Sequence, residues 1–127
     1  MRETARPAPR FLRLWNIRFP IGAIASIGHR LSGVLLLFVL PPLALALERS
    51  LHGPAAYAGL LAELRSPWLA PWLFIAAWAL AQHVLAGIRH LLMDVGIGWR
   101  LRQARASAWI VLVAALLAAA LTLGWLA

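Results

Sequence analysis

The sequence predicts an all-α integral membrane protein with three transmembrane helices. Of its 127 residues, 63% are hydrophobic, and the mean hydropathy of +0.81 is too apolar for a fold with a wet surface. No charged residue occurs between Arg30 and Glu48, between Arg65 and Arg89, or after Arg105. Two ionisable clusters sit beside or inside these tracts: Ser26-Ile27-Gly28-His29-Arg30, and His83-x-x-x-Gly87-Ile88-Arg89-His90 followed by Asp94. Hydrocarbon penalises such side chains by ~2.5–3.5 kcal/mol on insertion scales, so their presence there needs a reason.

A hydrocarbon core of ~30 Å needs ~20 helical residues at ~1.5 Å each. The first span is expected over 20–47. Pro20 suits its opening turn, because proline lacks the N–H that would be orphaned there. Pro41-Pro42 removes backbone hydrogen bonds deep in this span, predicting a kink or an early helix end. An outer loop with His52, Gly53 and Pro54 leads to a second span over 67–93. A third, over 106–126, is rich in alanine and leucine, with Ser107 and Thr122 as its polar side chains, and reads as a packing helix. Residues 1–19 are expected to form a cytoplasmic arm, with Pro7 and Pro9 opposing helix. The whole chain, 1–127, reads as a single membrane-anchor domain. A signal peptide fits poorly, because the His-Arg pair precedes the first long charge-free run and no soluble domain follows a cleavage point. No internal repeat, phosphate loop or zincin motif occurs.

The net charge of +8 comes from twelve arginines and no lysine. Their placement argues for topology and against nucleic-acid binding. Five precede the first span, and Arg100, Arg102 and Arg105 lie between the second and third. Arg49 and Arg65 in the intervening loop are balanced by Glu48 and Glu63. The positive-inside rule therefore predicts a cytoplasmic N-terminus and an outer, periplasmic C-terminus. Tryptophans at 15, 68, 72, 99, 109 and 125 suit the membrane–water belt, whereas Trp78 falls mid-span. Without cysteine, the chain can form no disulfide and hold no ordinary iron–sulfur cluster. A redox role would need histidine-bound iron or a small organic carrier.

At about 100° per residue, positions 83, 87, 90 and 94 fall within about 60° of one another, so His83, Gly87, His90 and Asp94 make one stripe. If the helix leaves the membrane near Asp94, His83 lies about 16 Å inside, close to the midplane. Ser26, His29, Arg30 and Gly33 form a second polar face on the first span. Imidazole is a standard axial ligand of haem iron, and arginine and histidine can neutralise haem propionates. Serine and arginine suit a carbonyl oxygen that gains negative charge. Plainer readings stand beside these. His83 could hydrogen-bond a neighbouring carbonyl, and Arg30 and Arg89 could snorkel to headgroups. Gly33 and Gly87 could serve packing, Asp94 could pair with a loop arginine, Ser26 could bond its own helix, and His52 could be a solvated loop residue.

The run Arg18-Phe19-Pro20-Ile21, then Ser26-Ile27-Gly28-His29-Arg30-Leu31-Ser32-Gly33, resembles the S-I-x-H-R-x-[ST]-G signature of the cytochrome b subunits of succinate dehydrogenase. His83-x-x-x-Gly87-Ile88-Arg89-His90-Leu91-x-x-Asp94-x-Gly96 is similar to that family's second signature. The order and three-span layout match over residues 6–126. The resemblance implies a bacterial inner-membrane anchor built with a second small three-helix subunit, carrying a flavoprotein and an iron–sulfur subunit. It implies haem b shared with that partner, with His83 as one axial ligand and His29, Arg30 and His90 near the propionates. It further implies that Ser26 and Arg30 line a quinone site, with ubiquinone the expected quinone, and that Asp94 has a structural or proton-path role. The chain departs from the pattern at Arg6-Pro7-Ala8-Pro9-Arg10-Phe11-Leu12, where many relatives read R-P-x-S-P-H-L. Contacts of the arm with an iron–sulfur subunit are therefore not carried over. A small proton- or cation-coupled transporter is the main rival. It would need a carboxylate inside a span, whereas Glu48, Glu63 and Asp94 fall at span edges. A haem-less structural anchor is the other.

Overall fold

A computed structural model of the chain describes residues 19–126. Most of the predicted arm, Trp15 and the run at 6–12 lie outside the described residues. Four helices follow in order: α1 (Ile21–Ser50), α2 (Pro54–Leu64), α3 (Ala70–Asp94) and α4 (Leu101–Leu126). Among the described residues there is no strand. The helices α1, α3 and α4 are long and apolar enough to cross a membrane.

Three features differ from the sequence expectation. α1 does not end at the proline pair but runs through Pro41 and Pro42 to Ser50. Prolines are tolerated in membrane helices when neighbouring groups and local adjustment accommodate the freed carbonyls. The outer loop contains α2, which starts after Gly53 at φ 119°, with Pro54 at its first position. Arg49 donates two hydrogen bonds to Glu63, of 2.8 and 3.1 Å, and so ties α1 to α2. Finally, α4 begins at Leu101, which puts Arg102 and Arg105 on its first turns rather than in a loop.

The tight connection between α3 and α4 has a local cause. The N–H of Ile97 donates to the Leu92 carbonyl at 2.8 Å, and that of Gly96 to Met93 at 3.0 Å. This is a Schellman end, and it requires the left-handed backbone that Gly96 adopts at φ 82°.

The core is built from small residues. Ala25, Ala79, Ala86, Ala108, Ala115 and Ala119 are all buried, which lets backbones approach closely, as helices in lipid require. Large apolar side chains such as Leu37, Phe38, Ile110, Leu121 and Trp125 point outward instead. The most extensive packing joins α3 to α4, and α1 lies against α3. That α1–α3 contact brings the two polar faces together.

Candidate functional site

Where α1 crosses α3, three imidazoles meet. The rings of His29 and His83 stack with centroids 4.3 Å apart and 20° between their planes. His90 meets His29 edge-on at 5.1 Å. Two glycines face them. A Cβ on Gly33 would stand 3.0 Å from Cε1 of His83, and one on Gly87 would stand 3.5 Å from Nε2 of His29. Gly33 therefore serves close packing of an imidazole on the helix, whereas a Cβ at Gly87 would make an ordinary van der Waals contact.

His83 is oriented from α1. Its Nδ1 lies 3.2 Å from the His29 carbonyl and 3.4 Å from the Ser32 hydroxyl, which itself donates to that carbonyl at 2.8 Å. A backbone carbonyl accepts from Nδ1–H, which leaves the Nε2 lone pair free to bind a metal. Nε2 makes no hydrogen bond among the described residues. The plain expectation of a histidine bonded to a carbonyl and the ligand expectation thus use opposite nitrogens of one ring.

The remaining candidates sit around this cluster. Ser26 is half-buried and Arg30 exposed on α1, and neither side chain makes a hydrogen bond or salt bridge among the described residues. Asp94 is exposed as the last residue of α3, without an arginine partner among the described residues. His52 is exposed beside Glu48, with Nε2 3.3 Å from the carboxylate. No group of three His, Cys, Asp or Glu side chains among the described residues is arranged to hold a metal ion unaided.

The donor set fits a haem in one respect that can be tested on this structure. A single imidazole has its Nδ1 engaged and its Nε2 open, in a slot that a Cβ at position 33 would crowd. Nε2 of His83 is thus the nitrogen that would hold a haem iron from this chain.

Two further polar residues are buried, Arg89 and Gln82. Arg89 does not snorkel. It is 7% exposed, and it donates from Nε to the Ser107 hydroxyl at 3.0 Å and from Nη2 to the Ala104 carbonyl at 3.0 Å. Ser107 thus makes α4 more than an inert packing helix. Gln82 is fully buried, and neither atom of its amide has a partner among the described residues. Its Nε2 lies over α1 where a Cβ on Gly28 would come within 2.9 Å. Gln82 carries a signal in the sequence, because an amide inside a charge-free span is costly for the same reason as a histidine.

Comparison with known proteins gives the family. A family model described as succinate dehydrogenase/fumarate reductase transmembrane subunit matches residues 3–122. The chain is 36% identical over 121 residues to the succinate dehydrogenase cytochrome b556 subunit of Coxiella burnetii, covering 93% of this chain and 95% of that protein. It is 34% identical over 119 residues to the subunit of the same name from Paracoccus denitrificans, covering 93% and 89%. The chain, a multi-pass membrane protein, therefore belongs to the succinate dehydrogenase/fumarate reductase transmembrane subunit family.

Proposed function

We propose that this chain is the cytochrome b membrane anchor of a succinate:quinone oxidoreductase in a bacterial inner membrane. It helps to hold haem b and forms part of the site where quinone is reduced. The observation that carries this reading is the orientation of His83 by the His29 carbonyl, which reserves one imidazole nitrogen for iron. The chain is a non-flavin subunit, and its lack of cysteine leaves flavin and iron–sulfur chemistry to a flavoprotein and an iron–sulfur subunit. A second small anchor subunit would supply the iron's other protein ligand. The N-terminus faces the cytoplasm, a reading that the arginine distribution supports.

Each residue then has a task. His83 would hold the haem iron through Nε2, the nitrogen its carbonyl contact leaves open. His29, His90 and Arg30 supply donors and positive charge toward the propionates. When bound, haem b supplies a one-electron store beside the quinone site. Ser26 and Arg30 bind and orient the quinone through its carbonyl oxygen, Ser26 by donating its hydroxyl proton and Arg30 by stabilising charge that develops there. Reduction of the quinone to quinol takes two electrons, delivered through the iron–sulfur subunit, and two protons from the aqueous side. Asp94, at the exposed end of α3, is placed to pass protons or to fix that end. The transporter reading is disfavoured because Glu48, Glu63 and Asp94 all lie at helix ends or outside the long helices.

The test separates quinone chemistry from assembly. Ser26→Ala and Arg30→Gln complexes should lose at least tenfold in quinone reduction (about 1.4 kcal/mol or more) while keeping succinate oxidation with an artificial acceptor. Equal loss of both activities contradicts the assignment.

A further inference from the structure

A groove of about 520 Å³ runs along α3 and α4 and reaches the connecting loop at Ile97 and Gly98. This size falls within the ~300–1,000 Å³ of typical small-molecule sites. Its walls are mostly apolar, with Ile88, Leu92 and Ile110 among them. The exceptions include Arg89 and Ser107, which stand together, and Gln103 toward the loop.

Arg89 is the unusual part. Its two hydrogen bonds go to uncharged oxygens, and no carboxylate pairs with it among the described residues. A nearly buried guanidinium with no counter-charge is costly in a membrane. Two bonds use only part of its five N–H donors. At the same end of the hairpin Arg100, Arg102 and Arg105 are exposed, and Asp94, the carboxylate that ends α3, is exposed too and makes no salt bridge with Arg89 among the described residues. The complementary ligand has an apolar chain for the groove and an anion for Arg89. A neutral quinone would leave the charge unmet, and a partner helix would have to bring a carboxylate into the bilayer. Anionic lipid headgroups are attracted to arginines at the membrane surface, and phosphate accepts the guanidinium fork.

We propose that the α3–α4 groove binds one anionic phospholipid, with an acyl chain against Ile88 and Ile110 and its phosphodiester paired with Arg89. The site does not depend on the haem or quinone assignments, so it stands or falls separately from them.

The test is native mass spectrometry of the purified membrane complex, loaded with phosphatidylglycerol or with phosphatidylcholine of identical chains. The expected result is one retained phosphatidylglycerol per copy of this chain, favoured roughly tenfold over phosphatidylcholine. Arg89→Gln should lose that retention. Ile110→Trp, which fills the groove and leaves Arg89 in place, should lose it too. This second variant decides the matter if Arg89→Gln does not assemble. Inorganic phosphate should not displace the lipid. Equal retention of both lipids, phosphatidylglycerol held undiminished by Ile110→Trp, or displacement by inorganic phosphate or by a quinone analogue would overturn the proposal.

Discussion

The two ends of the bundle solve the same problem in opposite ways. Near α2, the helices leave a cavity of about 430 Å³ lined by groups such as Val39, Pro42, Leu73 and Trp72, and the polar residues there stay outside. Arg49 and Glu63 pair where both are half exposed. From the middle of α3 toward the α3–α4 loop, polar side chains turn inward: His29 and His83 stack, Arg89 reaches α4, and Gln82 is enclosed without a partner among the described residues. Burial of polar groups costs stability unless each finds a partner. The cost is carried around the residues proposed to bind haem and quinone, and it is avoided near α2.

The contrast can be broken most severely at Gly33. Gly33→Val would drive a side chain into the slot of His83, at an overpacking cost of about 1–3 kcal/mol. The complex should lose most of its haem absorbance; full retention would show that the slot does not orient the ligand.

Gln82 offers a smaller and opposite effect. Gln82→Met keeps the length of the side chain and removes two unpartnered polar atoms. The thermal midpoint of the complex should rise, with a gain of up to about 1–3 kcal/mol. A fall would mean that the assembled complex supplies the amide with a partner.

The α2 end should respond least. The hydrogen bonds and charge of Arg49 hold the Glu63 carboxyl below its ordinary value. A lowered carboxylate contributes stability that is complete above its unfolded value, about 4.3, and that fades as pH falls through the lowered one. The protection of α2 amides relative to their intrinsic exchange rates should therefore fall slightly below that range, and Glu63→Gln should abolish that fall. Because both partners are half exposed, the effect is small.

Legibility in the sequence follows the same division. The histidine faces could be read because ionisable groups in hydrocarbon are rare and helical spacing aligns them. Their convergence could not, because spacing along one helix does not say which face meets its neighbour. Arg89 was misread for that reason: its depth fits snorkelling, but Ser107 and the Ala104 carbonyl are within reach across α4. α2 escaped notice because eleven residues are too few to span a bilayer and read as loop beside Gly53 and Pro54. The passage of α1 through Pro41-Pro42 reflects a membrane context that overrides the local cost of proline.

The central claim is that His83 supplies one axial ligand to haem b. The most direct measurement is the reduced-minus-oxidised visible spectrum of the purified complex, taken for the wild type, His83→Ala and His90→Ala. The account predicts a cytochrome b spectrum in the wild type, its loss or strong reduction in His83→Ala, and its retention in His90→Ala with at most a shift in midpoint potential. An unchanged spectrum in His83→Ala, or a wild-type complex without haem, would contradict it.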